Sequence, residues 1–266
     1  MSIDTKTKLN RLLASWPEGA VYSTQKLIEL GYGSEFIQKY KNSHWIEPLG
    51  KGAYKKNGDS VEWFGGVECL QSQLKLRVHV GGKAALELLG KAQYIPLNQR
   101  QIILWGDKKE LLPAWFRKHT WDIKLKYQSK KLFIEPKDSF SQKQFGFIDK
   151  EFGKIKITIS SSERSFLEYL NELPKKYSYK EALDILENLP SMRSSILQTL
   201  LENCTSLKVK RLFLHMADKT QPPWLGKINI EKINLGKGKR HIFKNGFLDP
   251  KYQITVPKDF YEDTQV

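Results

Sequence analysis

Cysteine is scarce in this sequence: 266 residues hold two, Cys69 and Cys204, with no CxxC motif and no histidine pair at ligand spacing. A disulfide framework and a zinc site are both excluded, and each thiol reads as a small buried apolar residue. Long apolar runs are missing too. Nothing approaches the roughly 20 residues of a membrane span, and the polar residues 1–10 hold no signal-peptide core, so a cytoplasmic protein is expected. Acidic residues are the third shortage. Against 29 Asp and Glu stand 44 Lys and Arg, a net charge of +15, and the partner that suits such a surplus first is a polyanion, nucleic acid above all.

What is present is ample core material. With 40% hydrophobic and 12% aromatic residues, wholesale disorder is excluded, and the length suits two domains. The net charge is +4 over residues 1–95, +7 over 96–160 and +4 over 161–266. It is spread along the chain rather than appended as a tail, so a binding face must be built by the fold. Ordinary solubilising lysine is the plain alternative.

Leu9, Leu12, Leu13 and Trp16 recur at i, i+3, i+4 and i+7, which predicts a first helix stopped by Pro17. Thr24 or Ser23 caps a second, carrying Leu27, Ile28 and Leu30 and ended by Gly31; Ser34 caps a third. Two short helices around a glycine-containing turn are the mark of a helix-turn-helix, whose last helix reads DNA. With Phe36, Ile37 and Tyr40 on one face, Glu35, Gln38, Lys39, Lys41 and Asn42 point outward. Gln38, Lys39 and Asn42 suit base edges, and Lys41 suits phosphate. Residues 45–56 alternate apolar and polar around Gly50-Lys51-Gly52, a hairpin placed as a wing, with Lys51, Lys55 and Lys56 in reach of phosphates. Residues 60–74 read as another helix and 77–80 as a strand. Gly81-Gly82-Lys83 opens a further helix; a glycine-rich helix start can hold phosphate, but Walker spacing is absent and a plain turn explains it.

Strand-like runs follow at 101–105, 123–127, 131–134 and 155–159, with an amphipathic piece around 111–116. Ser160 with Glu163, and Ser178 with Glu181, read as capping boxes of two helices, the second ended by Pro190. Two more helices carry Ile196, Leu197, Leu200, Leu201 and Cys204, then Val209, Leu212, Phe213 and Met216. Lys208, Arg211 and His215 form a basic stripe on the last, and a hairpin-like tail adds Lys237, Lys239 and Arg240. The expected fold is α+β: an N-terminal winged helix-turn-helix over 1–94, then a mixed α/β domain over 95–266 with a small sheet followed by helices.

The strings SVEWFGGVECLQSQL at 60–74 and VHVGGKAAL at 78–86 resemble the N-terminal module of the AbiEi antitoxins of bacterial abortive-infection toxin-antitoxin systems. SSSERSFLE at 160–168, LKVKRLFLH at 207–215, NLGKGKR at 234–240 and YQITVP at 252–257 resemble the rest of that family, so the likeness spans nearly the whole chain. It implies a winged helix that binds the operon's own promoter at inverted repeats. It also implies a C-terminal domain that opposes a nucleotidyltransferase-like toxin, directly or indirectly. Arg164, Lys208, Arg211, His215, Lys237, Lys239 and Arg240 are the residues expected to meet that partner, because guanidinium and ammonium groups suit carboxylate and phosphate alike. No long apolar heptad supports a permanent dimer, so a monomer that pairs cooperatively on DNA is expected.

Chemistry is thinly represented. Asp107, Asp122 and Lys124 imitate the metal site of PD-(D/E)xK nucleases, where two carboxylates and a lysine hold Mg²⁺ and activate water. A turn-favouring Gly106-Asp107 and a chance Asp-x-Lys triplet explain the same residues. GxSxG and HExxH are absent, as is the paired Gly-Ser and carboxylate pattern of a nucleotidyltransferase. No enzyme, cofactor or metal is expected. An autoregulating antitoxin leads, ahead of a winged helix that docks protein instead of DNA and of a metal-dependent nuclease.

Overall fold

The computed structural model describes residues 3–92, 101–107, 111–129, 132–136 and 143–260. Its contacts group into two units, each drawn from three stretches of chain. Unit 1 takes Met1–His79, Gln99–Ser129 and Asp149–Thr158; unit 2 takes Val80–Asn98, Lys130–Ile148 and Ile159–Val266. A single cut near residue 94 is what the sequence suggests, and the contacts group differently because strands from the middle of the chain pack beside the N-terminal elements.

In unit 1, α1 (Ile3–Ser15) buries Leu9 and Leu12 as its spacing predicts. Trp16 follows, stacked on Tyr22 at 4.1 Å, with its indole N–H donating to Ala20 O at 3.1 Å. Next come β1 (Tyr22–Ser23), α2 (Thr24–Glu29) and α3 (Ser34–Asn42), then the hairpin β2 (Ile46–Gly50) and β3 (Ala53–Lys56). Ser23, not Thr24, caps α2, its hydroxyl accepting from Lys26 N. Gly31, at φ +85°, turns the chain out of α2. Gly33 rather than Ser34 is the N-cap of α3, since Ser34 is already helical. The small antiparallel sheet has the order β1-β3-β2, with a register shift between Pro48 and Gly50.

The helix expected over 60–74 is divided. After α4 (Trp63–Glu68) the coil widens into a π-helical turn, Cys69–Gln73, in which Leu74 N donates back five residues to Cys69 O. Its two glutamines bond to strands. Gln73 accepts from Ser23 N and donates to Val21 O, both at 2.8 Å. Gln71 exchanges bonds with both backbone groups of Thr158 and donates to Val78 O. Each amide substitutes for a neighbouring strand and satisfies buried backbone groups.

A second sheet runs β6-β5-β4-β8-β7, built from β4 (His79–Val80), β5 (Gln101–Gly106), β6 (Lys124–Ser129), β7 (Phe147–Phe152) and β8 (Ile155–Ser160). Strands β5 and β6 pair in parallel from Gln101↔Lys124 to Gly106↔Ser129. Between them lies α6 (Ala114–Lys118). Three consecutive charged residues, Asp149, Lys150 and Glu151, hide β7 from a hydrophobicity scan, although Phe147 is buried. Of the strand expected at 131–134, Phe133 makes an isolated bridge to Cys204, and Lys131 lies outside the described residues.

Unit 2 is helical: α5 (Gly82–Leu88), α7 (Ser162–Asn171), α8 (Tyr179–Glu187), α9 (Ser194–Asn203) and α10 (Leu207–Thr220), with the hairpin β9 (Phe247–Asp249) and β10 (Ile254–Val256). One core joins Leu86 of α5 to Phe166, Leu170, Leu183, Leu197, Leu200 and Phe213. Ser161 caps α7, because β8 runs through Ser160, whose hydroxyl donates to Glu168 instead. Ser178 caps α8 as expected, accepting from Glu181 N.

Candidate nucleic-acid interface

Helix α3 is fixed by its inner face and leaves its outer face to solvent. Ile37 and Tyr40 are buried, with Tyr40 near Tyr32 and Phe36. Glu35, Gln38, Lys39 and Asn42 are exposed, and Lys41 is half-buried. Ser34, Gln38, Lys39 and Asn42 border an open depression along this face. Gln38 Nε2 donates to Asn42 Oδ1 at 2.8 Å, and Lys41 Nζ reaches Gln38 Oε1 at 3.4 Å. Polar groups on successive turns are thereby aligned as a row, the arrangement that side chains need to meet base edges in a groove.

The hairpin sorts its lysines differently. Lys51 is exposed in the turn beside Gly52, whose φ is +84°. Lys55 is engaged within the hairpin: it pairs with Glu47 at 3.1 Å and donates to Asp59 O at 2.8 Å. Glu47 is held below its ordinary pKa by that lysine first and by Gly58 N–H second. Lys56 stands 3.8 Å from Asp59. Of the three hairpin lysines expected to serve phosphate, two are therefore tied to carboxylates of their own module, and Lys51 makes no ion pair among the described residues.

A neighbour of the hairpin went unnoticed in the sequence. A Cβ at Gly50 would lie 2.7 Å from Trp115 Cβ, so β2 and α6 touch backbone to side chain. Burial first, and the charge of Lys55 second, lower the pKa of His119, which follows α6. Trp115 and Phe116 are buried at 4% and 2%, while Arg117 and Lys118, next in the chain, are exposed. The signal available was the pair Trp-Phe followed by Arg-Lys, one helical turn with an apolar and a cationic side.

The basic stripe of α10 is not a surface. Arg211 is 3% exposed and donates to Leu235 O, Gly238 O and Gln253 O, so its guanidinium clamps the C-terminal segment. Lys208 donates to Asn171 O and Leu173 O at 2.7 Å each. His215 lies between Asp249, 3.2 Å from Nδ1, and the Tyr179 hydroxyl, 2.9 Å from Nε2. Arg164, 5% exposed, bonds Glu168, Glu135 and Phe145 O, and lies over the rings of Phe147 and Phe133. Arg164 and Arg211, expected as docking residues, are instead buried internal ties, and Lys208 and His215 are half-buried and engaged by groups of their own chain, because buried carbonyls and carboxylates need donors. Lys237, Lys239 and Arg240 are exposed as expected.

The glycine-rich start of α5 holds an anion from its own chain: Gly82 N donates to the Glu168 carboxylate at 2.9 Å. The nuclease constellation does not assemble. Lys124 pairs with Gln101 at the start of β5, whereas Asp107 follows Gly106 at its far end. Six residues of strand, about 20 Å, separate the two levels, too far for one ion. Among the described residues no cluster of three metal-ligating side chains occurs, and no helix is long and apolar enough to cross a membrane.

Two short helices meeting at a glycine turn, a hairpin after them and a remainder of strands and helices define the class: a mixed α/β protein with a small N-terminal helix-and-hairpin module. The chain belongs to the AbiEi family. Residues 99–257 match the family described as "Transcriptional regulator, AbiEi antitoxin, Type IV TA system", and residues 5–97 match its N-terminal domain. The fold is similar to the crystal structure of the RV2827C protein from Mycobacterium tuberculosis, at 14% identity and a TM-score of 0.55 over 96% of this chain and 92% of that one. No curated protein matches the chain.

Proposed function

We propose that this protein is a cytoplasmic antitoxin that represses its own promoter through a winged helix and counteracts a nucleotidyltransferase-like toxin. The observation that carries the DNA part is the outer face of α3, where Gln38, Lys39 and Asn42 stand exposed in a row while the apolar face anchors the helix. Gln38, Lys39 and Asn42 read bases; Lys41 and Lys51 meet phosphate, and Lys55 and Lys56 join them only by leaving Glu47 and Asp59. Because one reader helix covers a few base pairs, two copies sit on inverted repeats spaced at near multiples of about 10.5 bp.

Antitoxicity belongs to the remainder of the chain, with Lys237, Lys239 and Arg240 as the exposed cations that meet the toxin or the nucleic acid it uses. The deciding experiment is a mobility shift of the duplex upstream of the gene, titrated with salt. Retardation that weakens steeply with salt supports the reading, and its absence at low salt removes it in favour of a protein-docking winged helix.

A further inference from the structure

Between α6 and the pair β5 and β6, all inside unit 1, lies a cavity of about 640 Å³. Sites for small molecules span roughly 300 to 1,000 Å³, so its size suits one such ligand. Its sheet side is formed by Leu104 of β5 and by the alternate residues Ile123, Leu125 and Tyr127. Leu104 is fully buried, but the other three are only half-buried, which leaves apolar surface uncovered. The other side is a run of rings: Phe116 stands 5.1 Å from Trp121, and Trp121 meets His119 edge to face at 4.5 Å. Two of the lining rings spend their polar tips on the backbone. Trp121 Nε1 donates to Phe116 O at 2.9 Å and the Tyr127 hydroxyl to Asp107 O at 2.7 Å, so their ring surfaces are left for an apolar body. Two exposed cations, Arg117 and Lys126, line the same cavity, and among the described residues no carboxylate does. Arg117 Nε donates to Leu112 O at 3.1 Å, which orients the guanidinium and leaves its terminal nitrogens for an outside acceptor.

From this arrangement we propose that the cavity binds a small planar aromatic carboxylate, its rings lying against Phe116 and Trp121 and its carboxylate held by Arg117 and Lys126. Planar rings gain from the edges and faces of other rings as well as from the area they bury. A guanidinium fork accepts both carboxylate oxygens at once, and a lysine adds a point charge. The sign of the ligand follows from the lining: two cations without a facing acid attract an anion and repel an amine. None of the lining residues belongs to α3 or to the hairpin, so the site stands or falls apart from the reading of α3.

The test titrates the full-length protein by calorimetry with three probes of one shape and different charge: 2-naphthoate, 2-naphthamide and 2-naphthylmethylamine. The carboxylate should bind roughly tenfold more tightly than the amide, and the amine should not bind. In Arg117→Gln/Lys126→Gln the preference for the carboxylate should disappear while the amide keeps its affinity, a split that a loss of packing would not give. Leu125→Trp fills the space between the strands and the rings and should abolish binding of both; Ile123→Phe takes its place if the tryptophan lowers the melting temperature of the free protein. As a second readout, saturating 2-naphthoate should raise the melting temperature of the wild type and leave that of the filled variant unmoved. Carboxylate binding that survives both the Gln pair and the filled cavity places it elsewhere on the cationic surface and overturns the proposal. Equal affinity for carboxylate and amide in the wild type overturns the anionic ligand, and no binding of any probe in the millimolar range overturns the site.

Discussion

At the level of single residues, the structure separates side chains that face outward from those that look alike in sequence but are consumed internally. Asn42 is exposed and held by Gln38. Asn42→Ala should cost about 1 to 3 kcal/mol on the operator and little on random duplex; equal losses on both would contradict base reading. Arg211 is the opposite case. Replacing it by Met leaves the Leu235 and Gly238 carbonyls without this donor, while Gln253 O keeps Arg240 N–H, and thermal melting should show a loss of about 2 to 5 kcal/mol. A variant that melts like wild type yet fails to rescue from toxin would restore Arg211 to the docking surface. His215 gives a pH dependence of defined sign. Burial lowers its pKa below the ordinary 6.5, opposed but not overcome by Asp249. The unfolded chain therefore takes up the proton first, so this contribution to stability is complete above about pH 6.5 and declines as the pH falls towards the folded value. His119 acts in the same direction. The melting temperature should drop between about pH 7 and 5.5, and His215→Gln should flatten that drop; an equal drop in the variant would assign it elsewhere.

At the level of elements, the π-helical turn and α5 hold positions that no periodicity announces. Gln73 is 5% exposed and stands in for a strand beside β1, bonding the N-cap residue of α2. Gln73→Met keeps the volume but orphans Ser23 N–H and Val21 C=O, at about 1 to 3 kcal/mol for each buried group. The expected signature is faster hydrogen exchange at Ser23 with a lowered melting temperature; unchanged exchange would show that the amide is dispensable. The helices were legible because each advertises itself locally: an apolar stripe, a Ser cap, a stopping Gly or Pro. The caps moved by one residue at Ser34 and Ser160, where a preceding glycine or a continuing strand claimed the boundary. Strand β7 was illegible because three consecutive charged residues, Asp149, Lys150 and Glu151, break the alternation of apolar and polar positions that marks a strand.

For the whole molecule, the interleaving of the two units changes how the functions can be separated. Helix α5 packs on α7, Leu86 is fully buried in the helical core, and Gly82 N–H satisfies Glu168. A fragment of residues 95–266 loses all three. It should therefore melt without a cooperative transition, and a sharp melt in calorimetry would show that this part folds alone. Repression and antitoxicity are better divided by substitutions on exposed residues, Asn42 for one and Arg240 for the other, which leave both cores intact. The net charge of +15 acts at this scale as well, favouring encounter with any polyanion without selecting a sequence.

Local spacing determined the order of helices, the turn between α2 and α3, the hairpin after them and the outward direction of Gln38, Lys39 and Asn42, since a helix with one apolar stripe has one way to face its core. The strings at 60–86 and 160–257 determined the family. Tertiary structure alone decided which cations remain outside. Arg164, Lys208, Arg211 and His215 are drawn inward by carbonyls and carboxylates from distant segments, and Lys55 and Lys56 by Glu47 and Asp59. Arg117 and Lys118 stay out because the two aromatics before them take the buried side. A basic residue carries no sign of its partner in the sequence, because the partner is chosen by three-dimensional proximity and by the cost of leaving a buried acceptor unpaired.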